Sequence, residues 1–267
     1  MTTAVEAALR RQRAVTLAAL ALLTLMAWAW LLLGAGMAMA PRAELHLFPR
    51  SAAGDMMGMA MPSAAWSAGQ WLLAFSMWWV MMVAMMLPAA APVILLYAKA
   101  AAVRPDAPRP ATGSFLAGYL GVWGAFSLAA VLLQDALQRS GALAPMTMES
   151  TARGLSAAIL VAAGLYQLSP LKEACLAHCR NPAVFLSRNY RPGRMGAWRM
   201  GALHGAFCLG CCWLLMALLF VGGVMNLAWI ALLSLLVAGE KLLPGGRRLG
   251  QAAGLGFIAW GALVAFA

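Results

Sequence analysis

The three longest stretches of this chain without Asp, Glu, Lys or Arg cover Ala14–Ala40, Met56–Ala98 and Met200–Gly239. A helix needs about 20 apolar residues to cross a bilayer core, so the last stretch alone is long enough for two crossings. A soluble domain cannot tolerate such runs, because its surface needs charged side chains spread along the sequence. The composition agrees: of 267 residues, 64% are hydrophobic and 10% are charged. Disorder is excluded, since it requires low hydrophobicity. The formal charge of +11 would suit a nucleic-acid binder, but the apolar bulk would not.

The charge-free runs predict an all-α, polytopic transmembrane helix bundle, a single domain over 1–267. Seven spans are expected, near 14–36, 70–97, 112–134, 154–171, 200–221, 225–243 and 249–267, with an outer loop over 37–69. Pro88 and Pro92 predict a kink or a broken cytoplasmic end in the second. Gly222 and Gly223 mark the turn between the fifth and sixth. This count segregates the basic residues. Arg10, Arg11, Arg13, Lys99, Arg104, Arg109, Lys172, Arg180, Arg188, Arg191, Arg194, Arg199, Lys241, Arg247 and Arg248 fall on one side. Only Arg42, Arg50, Arg139 and Arg153 fall on the other. The positive-inside rule then makes the first side, with the N-terminus, cytoplasmic and the C-terminus periplasmic. Topology thus accounts for the basic residues and removes the nucleic-acid reading. Ala38-Met39-Ala40 resembles a signal-peptide cleavage site, but the preceding apolar run exceeds the usual length of a signal core, and a retained helix is the reading adopted. Glycines at 118, 121 and 124, at 201 and 205, and at 250 and 254 permit close helix packing.

Five cysteines and two of the three histidines crowd into 38 residues. Cys175, His178 and Cys179 follow the fourth span, and His204, Cys208, Cys211 and Cys212 lie in the fifth. All fall at or near the cytoplasmic side, where thiols stay reduced, so a disulfide framework is not expected. His204, Cys208 and Cys211 or Cys212 are spaced i, i+4 and i+7 or i+8 and share one helix face. Cys175 and Cys179 share a face if their segment is helical, and Pro182 would end that segment. Thiolate and imidazole are ligands for a soft ion. Seven candidates exceed one four-coordinate site, so two ions, a relay or bystanders remain open. Simple burial of small hydrophobes is the alternative.

Nineteen methionines form a second pattern. Met56, Met57, Met59 and Met61 lie in the outer loop with Met37, Met39 and His46, and Met146 and Met148 in another outer loop. Met77, Met81 and Met85 make one stripe on the second span, with Met82 and Met86 beside it. Thioethers are soft, neutral ligands that favour Cu(I), need no deprotonation and form no disulfides. Packing is again the alternative for the stripe. At 1.5 Å per residue, the inner end of the stripe and the cysteine face fall at similar depth. Glu240 reads as a locally paired acid or, alternatively, as a partner of His204.

The strings Met77-Trp78-Trp79-Val80-Met81-Met82-Val83-Ala84-Met85-Met86-Leu87-Pro88, Leu171-Lys172-Glu173-Ala174-Cys175 through Cys179-Arg180, Gly201 through His204-Gly205, Cys208-Leu209-Gly210-Cys211-Cys212-Trp213, Gly223-Val224-Met225-Asn226 and Glu240-Lys241 resemble a bacterial family. That family is known as predicted metal-binding integral membrane proteins (domain of unknown function 2182). The resemblance covers most of the chain from the second span onward and implies metal binding. The expectation is therefore a membrane protein that binds Cu(I), with Zn(II) as second choice, for copper transport, delivery or homeostasis. Its partners would be lipid, the metal and a copper chaperone or cuproenzyme. No Ser-His-Asp set, P-loop or dinucleotide fingerprint marks an enzyme. A membrane thiol–disulfide oxidoreductase and a non-catalytic assembly subunit are the alternatives.

Overall fold

The computed structural model describes residues 2–36, 66–102, 111–144 and 148–266, with side chains from Arg10 onward. Ten helices follow in order: α1 (Thr2–Leu32), α2 (Ala68–Ala102), α3 (Thr112–Arg139), α4 (Arg153–Gln167), α5 (Pro170–Arg180), α6 (Pro182–Asn189), α7 (Gly193–Ala217), α8 (Leu219–Gly222), α9 (Leu227–Leu242) and α10 (Gly246–Phe266). Among the described residues there is no strand, only an isolated bridge between Leu143 and Ser150.

Five helical segments are long and apolar enough to cross a membrane: Arg10–Leu32, Ala68–Ala102, Thr112–Arg139, Gly193–Gly222 and Gly246–Phe266. The pair α4 and α5, bent by 62°, makes a sixth if it is one broken span. On length and composition the count is five or six, against the seven expected. The difference lies in α9, whose 16 residues rise about 24 Å, less than a hydrocarbon core of about 30 Å. The helix expected over 154–171 is also shorter, and the reason is local. Pro170 cannot continue a helix but fits the first turn of a new one, and the Ser169 side chain accepts the backbone N–H of Lys172 as an N-cap. Helix α2 runs unbroken through Pro88 and Pro92 for 35 residues.

Helix α3 packs along α7, α10 along α4, and α1 along α2. The first two contacts depend on missing side chains. A Cβ on Gly201 would lie 1.9 Å from the Phe115 carbonyl oxygen, and one on Gly118 2.1 Å from that of Trp198. On the other pair, a Cβ on Gly164 would lie 2.6 Å from the Gly254 carbonyl oxygen. Backbones this close maximise dispersion contact between the helices. Gly201→Ala is expected to destabilise the protein by about 1–3 kcal/mol, the usual cost of overpacking. Gly121→Ala, where nothing lies within 4 Å, should instead gain a few tenths up to about 1 kcal/mol from helix propensity. Thermal unfolding in detergent checks both, and equal effects would refute the close-packing account.

The interior is rich in sulfur and aromatic rings. Met77, Met81, Met82, Met85 and Met86 of α2 are all fully buried, with Trp78, Tyr119 and Trp123. The exterior is apolar too: Leu22, Leu25, Leu33, Leu235, Leu255, Leu263 and Phe266 are each more than half exposed. Large apolar side chains spread over the outside suit a hydrocarbon surround.

Candidate metal centre

Helix α7 presents His204, Cys208, Cys211, Cys212, Leu215 and Met216 on its buried side, which the 3.6-residue period collects onto one face. The bend between α4 and α5 lays α5 against this helix. As a result the Cys179 thiol comes close enough to the Cys208 and Cys211 thiols for their charges to influence one another. From α2, the Met86 Sδ lies 3.9 Å from the Cys212 Sγ. Four thiols and one thioether therefore gather where α2, α5 and α7 meet.

Cys208 is the centre of the group. The Lys241 ammonium, from α9, donates to its Sγ at 2.9 Å, and the Tyr119 hydroxyl lies 3.1 Å from the same sulfur. Tyr119 also donates to the Met86 carbonyl at 3.2 Å, tying α3 to α2 beside the site. Lys241 is buried, and among the described residues it has no carboxylate partner. Its neighbour in sequence, Glu240, faces elsewhere: Glu240 pairs with Lys172 at 2.5 Å and accepts from Gln167 at 2.6 Å. Lys172 also donates to Gln167. This corrects the alternative that Glu240 supports His204. Consecutive helical residues are about 100° apart, so the acid and the base of one dipeptide serve different neighbours. A buried ammonium needs compensating charge, and the sulfur at Cys208 is what faces it.

His204 is 2% exposed, and its ring lies against Phe115, Tyr119 and Phe185. Its Nδ1 has no hydrogen-bond partner. An unpaired buried nitrogen is costly and calls for an explanation. One turn before Cys208, it is available to a ligand.

The other candidates stand apart. Cys175 packs against Gly210, where an added Cβ would lie 2.8 Å from its sulfur. The His178 ring stacks on Phe207 with centroids 3.9 Å apart and planes within 3°, and its Nδ1 lies 2.9 Å from the Ala174 carbonyl oxygen. Both are thus one face removed from Cys208. Met77, Met81, Met82 and Met85 line the buried side of α2 outward from Met86. Near the far end of that stripe, Gln134 accepts from Trp78 at 2.7 Å and donates to the Met148 sulfur at 3.4 Å. Met56, Met57, Met59 and Met61 lie outside the described residues.

The thiols are free, and two of them turn back on their own helix. Cys211 and Cys212 both donate to the Cys208 carbonyl, at 3.1 and 2.9 Å. Among the described residues, no three His, Cys, Asp or Glu side chains already converge as a metal-binding group. These two observations belong together. A protonated thiol seeks an acceptor, whereas a metal needs the thiolate. Closing on an ion would require Cys211 or Cys212 to lose that proton and rotate about χ1.

Sequence reasoning missed Lys241, Tyr119 and the Gln167–Lys172–Glu240 network. A Glu-Lys pair ending an otherwise apolar helix was the available signal, since charges in such segments are rarely idle.

No curated protein and no solved structure matches the chain. A family model described as copper chaperone, PpoB2, matches residues 75–264, from α2 into α10, and spans all five cysteines, His204, the α2 methionines and Lys241. With more than half of its length matched, the chain belongs to the PpoB2 copper-chaperone family.

Proposed function

We propose that this protein is a multi-pass protein of the bacterial cytoplasmic membrane that binds Cu(I) and passes it on to another copper protein. The observation that carries the reading is the group around Cys208: Cys179, Cys211, Cys212 and Met86 gathered about a buried thiol that faces an ammonium. Soft sulfur donors select Cu(I) over harder ions. Two thiolates and one Cu(I) form a complex of net charge −1, and Lys241 supplies +1 beside it. In a medium of low dielectric such neutrality matters, because an uncompensated buried charge is expensive. Cys208 with Cys179, Cys211 or Cys212 provides the thiolates, and Met86 and His204 are neutral donors at hand. The fully buried methionines of α2 form a line of weak sulfur donors leading to the site from the opposite side, and Met56, Met57, Met59 and Met61 serve as capture ligands. Arrangement of the basic residues orients the cysteine end toward the cytoplasm. Cys208, Cys211 and Cys212 are each 1% exposed, which suits an ion better than exchange with a protein disulfide.

The full chain, purified in detergent under reducing conditions, loaded with Cu(I) and desalted, is expected to retain about one or more copper ions per chain. Lys241→Met should bind roughly tenfold to hundredfold more weakly in competition with a Cu(I) chelator, because the anionic complex loses its counter-charge. Copper-free wild type after loading would overturn the reading. Unchanged affinity in Lys241→Met would remove the lysine from it.

A further inference from the structure

A groove of about 580 Å³, lined by no cysteine, opens between α1 and α2. Its apolar wall includes Pro92, Leu95 and Leu96, and its rim carries Arg10, Arg13 and Lys99. All three cations are exposed, and none has a carboxylate partner among the described residues. Gln12 donates to the Ala98 carbonyl at 3.2 Å and holds the two helices together there. Three exposed cations, with no carboxylate partner among the described residues, over an apolar trough match a molecule with an anionic head and a hydrocarbon tail.

We propose that this groove binds an anionic glycerophospholipid of the inner leaflet, its phosphate at Arg10, Arg13 and Lys99 and an acyl chain along Leu95 and Leu96. The proposal rests on the membrane placement argued above. Charge complementarity selects the occupant: a zwitterionic lipid offers no net charge to three cations, and a soluble anion leaves the apolar wall uncovered. The orientation is consistent, because basic residues flanking an apolar segment on the cytoplasmic side attract anionic headgroups. The site would give α1, the least buried of the spanning segments with 17% of its window inside the bundle, a lipid bridge to α2.

The test uses the full chain, wild type and the triple variant Arg10→Gln, Arg13→Gln, Lys99→Gln. Each is incubated with equal amounts of phosphatidylglycerol and phosphatidylcholine of matched acyl chains and examined by native mass spectrometry. Wild type should retain phosphatidylglycerol preferentially, and the triple variant should lose that preference at least about tenfold, as expected from three interfacial cations. Copper stoichiometry should be the same in both proteins. Equal retention of the two lipids by wild type, or an undiminished preference in the variant, would overturn the proposal. So would displacement of the bound lipid by excess inorganic phosphate, which would assign the rim to a free anion. Carbonate washing of membranes separates the two levels. A chain that washes off refutes the membrane placement itself, whereas one that stays but shows no lipid preference refutes only the groove.

Discussion

Cys208→Ser is expected to reduce bound copper from about one ion per chain to background, while Cys175→Ser keeps it. The contrast follows from position. Cys208 has Lys241 at 2.9 Å and Tyr119 at 3.1 Å, and its thiol couples to that of Cys179. Cys175 instead packs on Gly210. Serine keeps the size and a hydrogen bond to Lys241 but cannot ionise to face the ammonium, so Cys208→Ser should fold with a lowered Tm. What it loses is a soft donor, because a hydroxyl is a poor ligand for Cu(I) at neutral pH. Cys179→Ser and Cys212→Ser should fall between the two, since each removes one of several thiols around the same point. Elemental analysis on the four variants, with thermal unfolding as a folding control, decides it. Equal copper in Cys208→Ser and wild type would place the binding elsewhere, and a complete loss in Cys175→Ser would show that α5 turns its other face inward.

Part of this arrangement was legible in the sequence, and the division has physical causes. The stripe on α2 and the cysteine face of α7 follow from periodicity, because a helix fixes which residues share a side. The rise of 1.5 Å per residue adds that the inner end of the stripe and the cysteine face lie at similar depth, and Met86 and Cys212 do meet. Periodicity does not fix the rotation of a short helix about its axis. Cys175 and His178 therefore looked equivalent to Cys179, and only the packing of α5 on Phe207 and Gly210 separates them. The break after Gln167 was written as Ser169-Pro170, a cap followed by a helix-starting proline, yet it was hidden inside an apolar run read as one span. Lys241 was hidden for a different reason. A lysine at the end of an apolar helix fits the sidedness pattern of basic residues whether or not it has a buried partner. Its meaning depends on Cys208, thirty-three residues away, a pairing that no local pattern encodes. The span count differed where length decides, at α9, because charge-free runs locate apolar sequence without measuring the helix inside it.

The largest effect on stability is expected from Glu240. Its carboxylate is 2% exposed and pairs with Lys172, itself 3% exposed, with Gln167 also donating to the carboxylate. Glu240→Gln would leave the Lys172 ammonium buried without a counter-charge, and losing one partner of a buried pair costs about 3–5 kcal/mol. For a chain of this size that corresponds to a fall of roughly 10 °C in Tm. The consequence reaches the copper site through α5. Lys172 and Cys179 are seven residues apart, two turns on one face, so the ion pair that holds Lys172 against α9 also holds Cys179 toward Cys208. Glu240→Gln should therefore weaken copper binding without touching a ligand, and Glu240→Gln with Lys172→Met should recover much of the Tm, because the uncompensated charge is gone. Recovery of copper affinity in that double variant would show that neutrality, not the ion pair, sets the position of α5. Continued weakness at restored Tm would show that the pair positions Cys179. A Glu240→Gln protein that melts with wild type would refute the burial of the pair and, with it, this link between α9 and the metal centre.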